Sequence, residues 1–487
     1  MICTDYKFMR QLYLTLNTTQ QETNLDSTEL MSQKPEATIQ IDGIWYDITE
    51  FVKRHPGGSV IQSYNGQDAS LVYHEMHRRS KKADLILKSL PKCKKNPDSS
   101  TEQNQDVDDI ENESDSEGSV IIQKRSDKER MLQDFREWTE SLEFRGFFEP
   151  DMEHSFYRIL ELICIFSMAT WCMGIDGILP KMLGILLYGL FGGRCGWVQH
   201  EAGHRSLTGD IYTDDIIQKV VMGFGLLTNG LMWNSMHNRH HATTQKLGHD
   251  IDLDTMPFVL FHEDAMIPKK LASALWLKYQ AYTFLPVTSG LLVMLFWITY
   301  LHPRKVIRDK DWFTGSTMIS GHIIRTWIIQ KQTGYSFLAS YGLLLASMYV
   351  SGIYLFGHFS TSHSFLPVIA SDENPSWVEY SLGHTVDIET QNPVVSWVMG
   401  YLNCQCVHHL FPQMPQYRQP EVSRELALFA KKWDLPYQQI GYWEAWRLTF
   451  QNLDRIGNQV YERYNPVHVQ SVSITLTKEN TVKEKFD

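Results

Sequence analysis

The stretch that decides the fold is FYRILELICIFSMATWCMGIDGILPKMLGILLYGLFGGRCGWVQHEAGH, residues 156–204. Residues 156–179 and 182–199 are long apolar runs, almost free of charge and separated only by Pro180-Lys181. A helix needs about 20 apolar residues to cross the hydrocarbon core of a bilayer, so the stretch predicts a transmembrane helical hairpin. The alternative is a pair of buried helices in a large soluble protein, which the length of both runs disfavours.

The hairpin ends in the first of three histidine clusters. These are H-E-A-G-H at 200–204, H-N-R-H-H at 237–241 and Q-C-V-H-H at 405–409. Histidines at i, i+3 and i+4 share one face of a helix, and neutral imidazoles bind borderline divalent metals such as iron. One such cluster is often incidental. Three of them beside membrane-scale apolar segments predict a metal centre.

Zinc is the competing metal. His200-Glu201 resembles the start of the zinc motif H-E-x-x-H, but the second histidine comes one place too late. A tetrahedral zinc site takes four ligands, and the three clusters contain more imidazoles than that. The sequence therefore favours two metal ions.

A different histidine pattern lies near the start of the chain, in a small unit at residues 37–95. Apolar residues surround an Asp42-Gly43 turn, which is a β-hairpin signal. His55 opens a His-Pro-Gly-Gly sequence, and His77 follows 22 residues later, with His74 as its rival. Two histidines can supply both axial nitrogens of a haem iron and leave no open position, which favours electron transfer over oxygen binding.

Charge and cysteine usage exclude other classes. The chain has 487 residues and a net charge of -11, and nine of its acidic residues lie between Asp98 and Glu117 without any Lys or Arg. The rest is nearly neutral and carries no basic stripe, so we expect no nucleic-acid partner. The seven cysteines are scattered and no signal peptide precedes them, so disulfides and secretion are not expected.

The polar segments divide the chain. We predict a disordered tail at 1–36, an acidic linker at 96–130 and a polar tail at 456–487. The main unit is then 131–455, and its opening residues suggest an amphipathic helix on the membrane surface.

In this order of modules, with H-x-x-x-H, H-x-x-H-H and Q-x-x-H-H, residues 37 to 450 resemble a front-end fatty acyl desaturase with a fused cytochrome b5 domain. Gln405 is the most specific sign, because other membrane desaturases and hydroxylases carry His there. The resemblance implies a mainly α fold. It consists of a small α+β haem domain, an acidic linker and a four-helix transmembrane domain with a cytosolic helical cap.

The resemblance also implies the chemistry. Two non-haem irons would activate O2 and insert a cis double bond between an existing double bond and the carboxyl end of a polyunsaturated acyl chain, carried on CoA or phospholipid. Electrons would pass from an NADH-cytochrome b5 reductase to haem b and then to iron. The linker would make the last transfer intramolecular.

Carried over residue by residue, the family's haem ligands fall on His55 and His77. The iron ligands fall on His200, His204, His237, His240, His241, His408 and His409, with one further histidine beyond the last membrane helix. His363 matches that position best, and His358 is its rival. Gln405, His249 and His384 are candidates for contact with the ligands. Capping of a helix is an equal alternative for the acidic element that begins at His249, and a structural role is the favoured alternative for His384.

Two departures from the family pattern put the position of the new double bond in doubt. Cys406-Val407 stands where Ile-Glu is common, and Ser362 stands where Asn is frequent. Cys404 and Cys406 could ligate metal in principle, but they lie off the histidine face, so apolar packing is favoured. A sphingolipid desaturase or a fatty acid hydroxylase is a related reading, and a noncatalytic haem-bearing membrane adaptor is a different one.

Location and topology follow from the ends of the chain and its basic loops. Lys483 and Lys485 resemble an endoplasmic reticulum retrieval signal, which requires a cytosolic C-terminus. With both termini and all histidine clusters cytosolic, and a basic loop at 302–311 retained there, we expect 312–330 and 335–357 to form the second hairpin. The more apolar 281–301 would then re-enter or lie in the interface.

Overall fold

The computed structural model describes residues 37–93, 115–253, 255, 258–264, 271–371, 373 and 375–464. The predicted disordered tail, most of the acidic stretch and the dilysine end lie outside these residues. What is described is mainly helical, with a small sheet in the first module and a two-stranded pair in the last.

The first module is a small α+β unit built on the predicted hairpin. Its strands β1 (Thr38–Ile41) and β2 (Ile44–Asp47) pair antiparallel across Asp42-Gly43, where both residues have positive φ. Strand β3 (Lys92–Cys93) adds to β2. Helices α1 (Ser70–His77) and α2 (Lys81–Ser89) complete the unit.

Helix α3 (Asp115–Phe144) begins inside the predicted acidic linker. Residues 115–130 are therefore helical, because the helix that we expected from 131 extends towards the N-terminus. Its apolar face does not lie free for a membrane: Met131, Phe135 and Leu142 are buried, and the Phe135 ring stacks on that of Phe411 at 5.6 Å between centroids. The expectation of a membrane-surface helix is thus wrong, since protein covers that face.

The first membrane hairpin consists of α4 (Met152–Gly174) and α5 (Ile178–Gly203). The break between them lies before Pro180, not at Pro180-Lys181 as the sequence suggested. Gly177, at φ +112°, makes the turn, and the proline lies in the first turn of α5, where its missing N–H is not needed.

Charged residues inside the membrane hairpin have partners. The guanidinium of Arg194 donates to Glu161 at 2.9 Å, and that of Arg158 lies 3.2 Å from a carboxylate oxygen of Glu201. All four side chains are almost completely buried. Pairing offsets the cost of placing these charges in hydrocarbon.

Among the described residues, four helical runs have the length and apolarity to cross a membrane. They are α4, α5, the run Gln280–Asp309 and α13 (Phe337–Ser360). By length and apolarity alone, this set differs from the expected second hairpin, because it includes 280–309 and leaves out α12 (Trp312–Thr333), which is less apolar. The run 280–309 is assembled from α9 (Gln280–Thr283), α10 (Met294–Phe296), α11 (His302–Asp309) and the π-helical segments between them.

The contacts of α12 and of the run 280–309 differ from what their apolarity alone suggests. Helix α12 runs beside α13. The C-terminal end of α12 reaches the C-terminal end of α4, where Gln332 lies against Gly174. In contrast, both ends of 280–309 touch elements near the histidines. Gln280 donates to the carbonyl of Leu453 at 2.8 Å, and Nδ1 of His302 accepts from the backbone N–H of Asn229 at 2.8 Å.

Two polar residues within α12 also find partners. Arg325 is fully buried and donates to the carbonyl of Gly225 at 2.6 Å, while Nδ1 of His322 lies 3.3 Å from the hydroxyl of Tyr341. Gly225 belongs to a π-helical segment at Val221–Leu226. That segment follows α6 (Ile211–Val220) and precedes a bend of 106° into α7 (Gly230–Ala242).

A cap of helices and two short strands covers the histidine side. It contains α8 (Leu271–Lys278), α14 (Trp377–Gly383), α15 (Pro393–Val398), α16 (Gln405–Leu410), α17 (Gln419–Lys432), α18 (Tyr442–Tyr464) and the parallel strands β4 (Asp387–Ile388) and β5 (Gln439–Ile440). The predicted polar tail from 456 begins inside α18. Its first residues are apolar at helical spacing, and Ile456 and Val460 are buried against Leu277.

Candidate metal centre and haem cavity

The end of each histidine-bearing helix meets the others at one point beneath the cap. His200 lies in the last turn of α5, and His204 caps that helix. Helix α7 carries His237 and its two companions in its last turns, and α16 carries the third pair. The bend before α7 is what turns the second cluster towards the first.

The imidazoles form two groups. In each group the potential ligand nitrogens all lie within 4.8 Å of one another. The larger group, here the five-histidine cluster, consists of His200, His204, His237, His241 and His408. The smaller group, the three-histidine cluster, consists of His240, His363 and His409.

The rival assignments of the further histidine are separated by their contacts. His363 is buried, with its ring 4.9 Å from those of His240 and His409. His358 has both nitrogens engaged elsewhere, with Nε2 2.9 Å from the hydroxyl of Tyr442 and Nδ1 2.6 Å from the carbonyl of Tyr354. The geometry therefore favours His363 in the three-histidine cluster.

Gln405 lies directly at the three-histidine cluster. Its side-chain amide is 2.7 Å from Nε2 of His363 and 3.3 Å from Nε2 of His409. Its Oε1 is buried and has no partner among the described residues. The amide is thus close enough to contact a metal ion held by these imidazoles.

The acidic element after the second cluster acts through a different residue from the one expected. Asp250 lies 3.1 Å from Nδ1 of His240 and accepts from the backbone N–H of Gln245 at 2.7 Å. His249 instead turns away and contacts Ser63 of the first module at 3.0 Å. The expectation for His249 is wrong because neighbouring side chains of this turn point in different directions.

His384 contributes its backbone to the site. Its carbonyl oxygen lies 3.1 Å from Nδ1 of His363, whereas its own ring contacts the carbonyl of Pro367 at 2.7 Å. His384 therefore orients His363 without using its imidazole.

The first module contains a second histidine pair on a cavity of about 560 Å³. His55 and His77 face each other with ring centroids 6.3 Å apart. Nδ1 of each ring contacts a backbone carbonyl, that of Gly58 at 3.1 Å and that of Tyr73 at 2.9 Å, which leaves each Nε2 for a ligand. His74 is outside this pair, because its Nε2 is bonded to Asp42 at 2.9 Å on the surface.

Comparisons with known proteins decide the family. Residues 177–441 match the fatty acid desaturase family, and residues 25–134 match the cytochrome b5-like heme/steroid binding domain. An acyl-lipid (8-3)-desaturase of Thraustochytrium sp is 38% identical over 87% of this chain and 93% of its own length. One of Rebecca salina is 40% identical over 85% and 90%.

The chain belongs to the fatty acid desaturase family. A Delta(5) fatty acid desaturase of Caenorhabditis elegans is also similar, at 27% identity over 86% of this chain. The prediction of a front-end desaturase with a fused cytochrome b5 domain is confirmed, and the protein is an oxygen-dependent oxidoreductase of a membrane. The b5-like domain implies haem.

The imidazoles of the desaturase suit metal ions. Several of their buried nitrogens have no partner within the described part of the chain, namely Nε2 of His200, Nε2 of His204, Nδ1 of His241 and both nitrogens of His408. Burial and the neighbouring imidazoles hold the pKa of His408 and of His409 well below the ordinary value, and burial lowers the pKa of His363 to about 3. These rings are therefore neutral at physiological pH, the form that ligates metal.

Three supporting residues were not found by sequence reasoning. Gln416 donates to Nδ1 of His200 at 2.7 Å, and Thr244 lies 3.1 Å from Nδ1 of His409. Glu201 accepts from the backbone N–H of Gln416 at 3.1 Å. Only Glu201 carried a signal, its place inside the first cluster, while Gln416 is more than two hundred positions away from the histidine that it contacts.

An apolar cavity of about 430 Å³ adjoins both clusters of the desaturase. Its polar end is formed by His200, His237, His240, His363 and Gln405. Its remaining walls come from α5, α7 and the bend before it, the run 280–309 and α13, with large apolar side chains such as Trp233, Met294 and Phe356. Such a cavity fits an acyl chain whose reacting carbons lie beside the metal ligands.

Proposed function

We propose that this front-end desaturase acts on a polyunsaturated acyl chain of a membrane lipid and has (8-3) regiochemistry. The new cis double bond would lie three carbons to the carboxyl side of a bond at carbon 8. The observation that carries the proposal is the pair of acyl-lipid (8-3)-desaturases at 38% and 40% identity over most of the chain.

The five-histidine and three-histidine clusters would each hold one non-haem iron ion. The unpartnered nitrogens of the five-histidine cluster and the neutral state of His363, His408 and His409 support this assignment. Iron bound there would supply O2 activation and the removal of two hydrogens from neighbouring carbons. Gln405 would support the ligands His363 and His409 of the smaller cluster.

The protein's own part is to fix the rings and exclude water. Asp250, Gln416 and Thr244 each bond the outer nitrogen of an imidazole, so the opposite nitrogen points at the site. Such contacts set the orientation and basicity of metal ligands. The cavity walls hold the acyl chain at a fixed depth, which selects the carbons that face the ligands.

Haem b would be held between His55 and His77, and an NADH-cytochrome b5 reductase would supply its electrons. The haem cavity is lined on its inner side by His204, Asn238 and Gln413 of the desaturase domain. Gln413 bridges the domains, since it accepts from the N–H of Arg79 at 3.1 Å and donates to the carbonyl of Met76 at 2.8 Å. These contacts support transfer within one chain.

We place the protein in the endoplasmic reticulum membrane with both termini and all histidines on the cytosolic side. In this arrangement α12 and α13 form the second hairpin, and the run 280–309 re-enters on the cytosolic side. The contacts of Gln280 and His302 beside the histidine side support it. A glycosylation acceptor inserted near Asp309 should stay unmodified, and lumenal glycosylation there would contradict the arrangement.

Feeding tests the reaction itself. A yeast host that makes no polyunsaturated fatty acid would express the full chain and receive polyunsaturated acids that differ in the position of their first double bond. We expect product only from the acid with a bond at carbon 8, found first in phospholipid. A new bond at another position would contradict the regiochemistry, and early product on CoA would contradict the lipid carrier.

A further inference from the structure

Three buried hydroxyl groups line the acyl cavity. Thr288 and Ser289 lie in the π-helical part of the run 280–309 and are 2% and 1% exposed. Thr228, 1% exposed, lines the cavity from the bend before α7. In the described part of the chain, none of the three hydroxyl oxygens has a hydrogen-bond partner.

Other hydroxyls of the same run are satisfied. Thr283 donates to the carbonyl of Tyr279 at 3.3 Å, and Thr299 donates to that of Leu295 at 2.5 Å. A Ser or Thr hydroxyl within a helix commonly donates to the backbone carbonyl four residues earlier. Thr288 and Ser289 do not make this bond, and both face the cavity.

Unpaired buried hydroxyls are unfavourable, because water is lost without replacement. Three of them around one apolar cavity therefore point to a ligand that accepts weak hydrogen bonds. The ligand must be compatible with the apolar walls, which excludes a charged group.

The distance of Ser289 from the C-terminal end of α13 indicates which part of the substrate lies beside it. The carbonyl of Ser289 packs on Gly352 of α13, where an added Cβ would lie 2.7 Å from that oxygen. Gly352 precedes the last residue of α13, Ser360, by about 12 Å at the usual helical rise. The exposed Asp252 lines the cavity elsewhere, at the surface where a headgroup can lie.

Ser289 therefore meets the hydrocarbon part of the substrate. The electron-rich groups of a polyunsaturated hydrocarbon chain are its cis double bonds. A donor aimed at a π face forms a weak hydrogen bond that a saturated chain cannot replace.

We propose that Thr228, Thr288 and Ser289 select polyunsaturated chains by donating to the π faces of double bonds already present. The selection rests on the proposed acyl substrate of this desaturase. It adds to the apolar fit a preference that depends on unsaturation and not on length.

Binding to the full haem- and iron-loaded chain tests the proposal without turnover. The affinity for a polyunsaturated phospholipid is compared with that for the saturated phospholipid of the same chain length, in the absence of reductant. The substitutions are Thr288→Val, Ser289→Ala and Thr228→Val, which remove a hydroxyl and keep most of the volume. Each is expected to reduce the affinity ratio by about two- to fivefold, the effect of one weak hydrogen bond.

Thr299→Val is the matched control, because its hydroxyl is already bonded and its side chain is exposed. It should leave the ratio unchanged. If the ratio stays constant in all three cavity variants, or if both affinities fall together, the proposal is overturned. A wild type that prefers the polyunsaturated lipid but forms no product would contradict the proposed function and leave this inference supported.

Discussion

The two metal clusters are made of the same side chain yet differ in number and surroundings. The five-histidine cluster contains imidazoles alone, and a neutral amide, Gln416, supports His200 from outside. The three-histidine cluster has fewer rings, a carboxylate behind His240 and the Gln405 amide beside it. The comparison teaches that the two irons would occupy unequal sites, one held by many neutral ligands and one dependent on a few supported ligands.

The largest expected effect comes from removing one ring of each cluster. His204→Ala leaves four imidazoles, whereas His363→Ala leaves two, and both variants should lose desaturation entirely. We expect His363→Ala to bind about half the non-haem iron of the wild type, because two imidazoles hold a metal poorly. His204→Ala should keep most of it.

Total iron by mass spectrometry in purified full-length protein, less one iron for each haem, checks this contrast. Equal iron loss in both variants would remove the distinction between the clusters. Activity in the His363 variant would instead move the ligand assignment to His358.

The next-largest effect is expected at the residues that bond the outer nitrogens of the imidazoles, and it should differ between the two clusters. Asp250→Asn removes the charge behind His240 and should weaken iron binding by about 10- to 100-fold. Gln416→Leu removes a neutral contact of the five-histidine cluster, so we expect a change near the lower end of that range. Titration with a chelator measures the iron affinity of both variants. A stronger effect for Gln416→Leu would show that the five-histidine cluster depends more on its supporting residue than the three-histidine cluster does.

A smaller effect is expected at Gln405. Gln405→Ala should leave both iron ions bound and reduce turnover by about tenfold or less, the lower end of the range for groups that tune ligands. Product formation and iron content would be measured together. Loss of one iron would show that Gln405 is a required ligand.

The smallest effect is expected at Cys406, one turn from the histidines. This thiol is completely buried and lies 3.2 Å from the hydroxyl of Thr385, away from both clusters. Cys406→Ala should cost about 1 kcal/mol of stability through lost packing and leave iron content unchanged. A drop in iron would make the thiol part of the centre.

Local patterns in the sequence predicted most of the site. Spacing of i, i+3 and i+4 predicted that the histidines of each helix share one face, and the structure divides those of α7 and α16 between the two clusters. Apolar length indicated the first hairpin. Both signals depend on residues close in sequence. The same holds for the Asp42-Gly43 hairpin, which β1 and β2 confirm.

Signals that depend on distant residues were missed or misread. The choice of His363 over His358 is made by Tyr442, which lies 84 residues beyond His358. Apolarity alone could not show that Gln280 and His302, towards the two ends of 280–309, bond to Leu453 and Asn229, which are distant in the chain. The burial of the α3 face depends on Phe411, far along the chain.

The contacts that Gln413 makes between the two domains have a consequence for the source of the electrons. Because Gln413 bonds the backbone on both sides of His77, the haem module is held against the desaturase domain. On that side, the haem module blocks the access of other electron carriers to the desaturase domain. A freely diffusing carrier would have to displace that module before reaching the same place. Product formation should then follow the amount of reductase and be indifferent to how much independent cytochrome b5 the cell contains.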